Sequence, residues 1–151
     1  MRGASRRRRR RFVGRALVNI RAGRMQRTLS AATAASALPL AFDVYLEHYK
    51  GSFGDKWEWA PLALTPPLVA AGVAGVYSQR AAQTVLPAAS ALYALCGLAG
   101  TVLHGRGVAR KPGGFREPAY NLVMGPPLLA PGSLTLVGAM GLLAPLMGRE
   151  R

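Results

Sequence analysis

Two histidines, His48 and His104, and the acids Asp43 and Glu47 are the residues best suited to chemistry in this chain. Carboxylate and imidazole are ordinary ligands of Zn, Fe or Cu, so Asp43, Glu47, His48 and His104 form a candidate metal site if the chain brings them together. The Glu-x-x-His spacing of di-iron helix bundles is absent. The two histidines alone suit axial ligation of a haem, although each stands at the edge of an apolar run rather than inside one. A third chemistry belongs to Gly105–Gly114, whose glycines would expose backbone amides beside Arg106, Arg110 and Lys111 and so suit an anion or a lipid headgroup. Each group also has a plainer reading. Asp43 or Glu47 can pair with Lys50, Arg106 or Arg110 to clip helix ends together, and a histidine at a helix end commonly caps it. No Ser or Cys stands near a base in a recognisable nucleophile motif. The single cysteine, Cys96, permits no internal disulfide.

The elements that must carry these residues are unusually apolar. Half of the 151 residues are hydrophobic, yet the net charge is +14. Residues 1–27 hold eleven arginines and no acid, while residues 28–151 hold nine bases against six acids. The chain is thus a basic arm (1–27) attached to a nearly neutral apolar body (28–151). From Thr84 to Leu103 there are twenty residues without a charge, enough to cross a hydrocarbon core of about 30 Å at about 1.5 Å per residue. The same reasoning predicts spans at about 29–46, 62–79, 84–103 and 119–147. The last is longer than one crossing needs and contains Gly125-Pro126-Pro127 and Pro131-Gly132, so a break is expected before a regular helix at 133–147. The fold class predicted is all-α: an integral membrane four-helix bundle of two antiparallel transmembrane hairpins. Within the arm, Phe12, Val13, Ala16, Leu17 and Ile20 share one face among arginines, which predicts an interfacial amphipathic helix over about 12–26.

With the amino terminus cytoplasmic, the inner segments carry fourteen bases and the outer loops six. That bias sets a cell-membrane topology with both termini inside. Asp43, Glu47, His48, Glu58, His104 and Glu117 then gather at the outer face, with Asp43 expected to point into the bundle, because a charge facing lipid is costly. The two hairpins resemble each other faintly. His48 followed by Pro66-Pro67-Leu68 is echoed by His104 followed by Pro126-Pro127-Leu128, which suggests a parallel repeat. Glycine pairs at 72 and 75, 97 and 100, and 138 and 141 offer small faces for close helix contact. The function predicted is a non-catalytic subunit or anchor of a membrane assembly. Its partners are the lipid bilayer and another membrane subunit or a second copy, rather than nucleic acid. The alternatives are a metal- or haem-binding membrane protein using His48 and His104, and a small transporter using Asp43 and Glu47. Arginine far outnumbers lysine, compatible with a GC-rich bacterial genome.

Overall fold

The computed structural model describes residues 14–150. The arginine run, and Phe12 and Val13 of the expected amphipathic helix, lie outside them. Residues 14–21 are helical (α1) and leave Leu17, Val18 and Ile20 exposed among Arg15 and Arg21. Gly23 ends this helix in the left-handed conformation (φ 63°), which only glycine adopts without a Cβ penalty. There Gly23 N donates to Ile20 O and Arg24 N to Asn19 O.

Six further α-helices follow: α2 (Gln26–Lys50), α3 (Ala60–Tyr77), α4 (Gln79–Gln83), α5 (Val85–Ala109), α6 (Pro118–Met124) and α7 (Leu129–Leu143). Short 3-10 turns lie at Lys56–Trp59, Gly114–Arg116 and Ala144–Leu146. Four of the helical segments are long and apolar enough to cross a bilayer: Gln26–Lys50, Lys56–Tyr77, Gln79–Ala109 and Leu129–Leu146. The all-α four-helix bundle read from the sequence is therefore the fold. The first and third spans run several residues beyond the predicted ends. The helical ladder continues through polar His48 to Lys50 in α2, and through His104 and Arg106 to Ala109 in α5, whereas the predicted spans end where the apolar runs end. The fourth span is broken as anticipated, but its regular helix runs over Leu129–Leu143 rather than 133–147 and takes Pro131-Gly132 into its first turn. Gly125 adopts an extended conformation (φ −97°, ψ −172°) after the seven residues of α6, and α7 begins at Leu129.

The bundle closes as a ring in which α2 and α5 each pack on both α3 and α7, so α2 faces α5 across the axis. Its close contacts are made by small residues. A Cβ on Gly72 would stand 2.9 Å from Ala34 Cβ and Ser30 O, and one on Gly138 would stand 2.7 Å from Ala94 N and Ser90 O. The two hairpins are thus copies in packing. The buried positions of α2 are Gln26, Ser30, Thr33, Ala34 and Ala37, and those sixty residues on, in α5, are Leu86, Ser90, Tyr93, Ala94 and Gly97. In α3 they are Thr65, Leu68, Ala71, Gly72 and Gly75; sixty-six residues on, in α7, they are Pro131, Leu134, Val137, Gly138 and Gly141. This register is not the one suggested by the Pro-Pro pairs, which occupy different settings. Pro66 and Pro67 lie inside α3, while Pro126 and Pro127 lie in the break before α7.

At the end opposite the candidate chemistry, the carboxy-terminal residues tie the bundle shut. Gly148 N donates to Gly23 O (2.8 Å), and Gln26 N donates to Gly148 O (3.1 Å). The Glu150 carboxylate accepts from Arg27 N (2.7 Å) and Thr28 N (2.8 Å), the unpaired first-turn amides of α2. Partial burial of Glu150 works to raise its pKa, but the amide bonds from Arg27 and Thr28 outweigh it and hold the carboxyl below its ordinary value of 4.5. A lowered native pKa means that this cap stabilises fully above the unfolded value and is lost as pH falls through the native one. Thermal melts in detergent should therefore fall as the pH drops below about 4.5, and Glu150→Gln should flatten that acid limb.

Candidate functional site

The site lies where α2 and α5 end. On α2 the buried stripe Thr33, Ala37 and Val44 extends by one turn to His48. Asp43 and Glu47 are each one residue out of that stripe, rotated by about 100° from it. This corrects the expectation for the acids. Asp43 is exposed on the outer surface of the bundle, and Glu47 is held by Lys50 Nζ at 2.5 Å. With side chains 69 % and 38 % exposed, that pair contributes about 0–1 kcal/mol. Among the described residues no three of His, Cys, Asp or Glu are grouped to hold a metal ion. Of the four candidate ligands, only His48 and His104 come together, with ring centroids 6.4 Å apart and planes at 86°.

His104 is positioned by prolines. Pro127 lies in the break before α7, whose first helical acceptor is Leu128 O, bonded to Gly132 N, so no helix amide serves Pro127 O. His104 fills the vacancy, its Nδ1 standing 2.7 Å from Pro127 O. A carbonyl only accepts, so Nδ1 carries the proton and Nε2 of the neutral ring keeps its lone pair. Beside it, Gly107 lets the break approach α5: a Cβ there would stand 2.7 Å from Pro126 Cγ.

His48 is walled by aromatics. The chain leaves α2 through Ser52 (φ 59°) and Phe53 (φ 47°), two non-glycine residues in the left-handed region. Each costs about 1–2 kcal/mol of backbone strain. The turn folds Phe53 back so that its ring stacks on Trp59 at 4.1 Å and lies 6.2 Å from His48. Phe53 also meets Tyr45, which stacks on Tyr49 at 5.8 Å. Asp55 Oδ1 accepts from Trp57 N (2.9 Å), starting the 3-10 turn that presents Trp59. Behind this wall two polar atoms are buried without a hydrogen-bond partner, His48 Nδ1 and Glu58 Oε2.

The glycine-rich stretch is not an open amide nest. Residues 105–109 are the last turns of α5, with Arg110 N donating to Arg106 O and Lys111 N to Val108 O, so those amides are spent on the helix. Arg106, Arg110 and Lys111 are exposed. The following loop is folded by Asn121, whose buried Nδ2 donates to Pro112 O (2.9 Å) and Gly114 O (2.7 Å). The sequence alone assigns neither Phe53 nor Pro127 a part in the site. Pro127 sits in the Gly125-Pro126-Pro127 break, and a carbonyl outside the helical ladder needs a donor from elsewhere.

Comparisons with protein-family models, curated proteins and solved structures gave no match to the chain.

Proposed function

We propose that this chain is a multi-pass protein of the cell membrane, with both termini cytoplasmic, that serves as a non-catalytic subunit or anchor of a larger membrane assembly. The orientation rests on charge. Among the described residues Arg24, Arg27, Arg80 and Arg149 lie toward one end of the bundle and Lys50, Lys56, Arg106 and Lys111 toward the other, and the first set continues in sequence into the arginine run.

The observation that carries the subunit reading is a groove of about 290 Å³ on the outer face between α2 and α3, walled by Ala31, Ala35, Leu38, Val69 and Val73. Its lining is almost wholly apolar, which in lipid suits the back of another helix. In the second hairpin the position equivalent to Ala35 is Leu95, which is 61 % exposed and which the same packing register accommodates. Packing of the bundle thus does not require Ala35 to be small.

Co-purification from native membranes tests this. A partner should accompany the wild-type chain in fixed ratio, and Ala35→Leu should reduce its recovery tenfold or more while the chain keeps its own melting temperature. Recovery of the chain without any fixed companion, or a companion indifferent to Ala35→Leu, would defeat the reading.

A further inference from the structure

We infer that His48 and His104 together bind one divalent transition-metal ion at the mouth of the bundle. This goes beyond the subunit reading and does not depend on what fills the α2–α3 groove.

The first ground is where the two hairpins stop matching. Through the body, positions sixty residues apart in α2 and α5 are buried alike. At the mouth the pattern crosses over: Val44 corresponds to His104, and His48 corresponds to Val108. Val44 and Val108 are both buried, 3 % and 0 % exposed, and would satisfy packing in either hairpin. Each hairpin instead places one imidazole, and the two meet across the bundle axis.

The second ground is the state of each ring. A metal-binding imidazole usually donates its other ring N–H to a backbone carbonyl or carboxylate, which fixes the tautomer and aims the free lone pair. His104 has that arrangement ready-made, with Nδ1–H on Pro127 O. His48 carries a buried nitrogen that no protein group satisfies, an unfavourable state unless something at the site compensates.

Separation is the third ground. Metal–nitrogen bonds of about 2.0–2.1 Å, with roughly 1.1 Å more to each ring centre, put two ligating imidazole centroids about 5–6.5 Å apart. The observed 6.4 Å falls at the upper end of that range. The protein supplies two nitrogen ligands, and the remaining positions go to water or to a group from outside the chain. Imidazole nitrogen selects Zn²⁺, Cu²⁺ and their neighbours over Mg²⁺ or Ca²⁺, with Cu²⁺ bound most strongly.

The test uses the full chain in detergent, purified without a polyhistidine tag and titrated with CuCl₂. One ion should bind per chain, with electron paramagnetic resonance reporting two nitrogen ligands. His48→Phe keeps a ring in the aromatic wall, and His104→Gln keeps a donor for Pro127 O. Each should weaken binding tenfold or more with little change in melting temperature. Absence of stoichiometric Cu²⁺, a signal without two nitrogens in the wild type, or affinity unchanged in both variants would overturn the inference. A Soret band from tightly held haem in the purified protein would overturn it too, since the rings would then serve a different group.

Discussion

Gly138→Ala should part α7 from α5. One added methyl stands 2.7 Å from Ala94 N and from Ser90 O, both main-chain atoms of α5, so no side-chain rotation relieves the clash. Gly97→Ala presents the mirror-image problem, its Cβ 2.5 Å from Thr135 N and 2.7 Å from Pro131 O on α7. Backbone against backbone yields only by separating helices, and separation forfeits the dispersion contacts of the whole seam, because lipid supplies no hydrophobic force to hold it closed. Each substitution should cost about 2–3 kcal/mol, the upper part of the usual overpacking range. Gly105→Ala is the control: the same exchange in the same helix, with nothing within 4 Å of the new methyl. There the change should stabilise by about 0.5–1 kcal/mol through helix propensity. Reversible unfolding in mixed micelles, followed by far-ultraviolet circular dichroism, reads all three.

The second large effect belongs to Arg149. Its guanidinium donates to Gln26 Oε1 (3.0 Å), Gly75 O (3.1 Å) and Val76 O (2.8 Å). The last two are unpaired carbonyls at the carboxy end of α3, where a cation also meets the negative pole of the helix. Gln26 is 1 % exposed, so its amide has no water to replace the lost donor. Arg149→Ala should therefore cost about 2–3 kcal/mol, the worth of charge-assisted bonds whose acceptors are left stranded. Lysine cannot span three acceptors with one ammonium, so Arg149→Lys should recover less than half. Melting temperatures of Arg149→Ala, Gln26→Ala and the double variant should show a coupling of about 1 kcal/mol. Additivity would mean that the guanidinium and Gln26 act separately.

Sequence carried the architecture because long uncharged runs leave few alternatives to long apolar helices. Uncharged runs of bilayer-crossing length, such as Thr84–Leu103, have few other uses, and Gly125-Pro126-Pro127 marks the break in the fourth span, although Pro66-Pro67 interrupts nothing in α3. The site was legible only in its histidines. Asp43 and Glu47 shared the right stretch, but helical phase placed them outward, and phase depends on which face of α2 is buried. That face is set by Ser30 and Ala34 against Gly72, a contact between helices that one-dimensional spacing does not reveal. The carboxy-terminal tie was invisible for the same reason: Arg149 and Gln26 are 123 residues apart and meet only once the ring of helices has closed. Phe53 was missed because its role comes from a left-handed turn that its residue type disfavours.

Everything above depends on residues 26–146 crossing a membrane four times, with the histidine mouth on one side and the Arg149 tie on the other. Cysteine labelling in intact cells tests this directly. On a Cys96→Ala background, exposed Lys56 and Lys111 are each replaced by cysteine, as is exposed Arg80 at the opposite end. A membrane-impermeant maleimide should label the Lys56→Cys and Lys111→Cys proteins from outside, and the Arg80→Cys protein only after the cells are opened. Labelling of Lys56→Cys and Lys111→Cys from opposite sides, or recovery of the chain in the soluble fraction without detergent, would contradict the account.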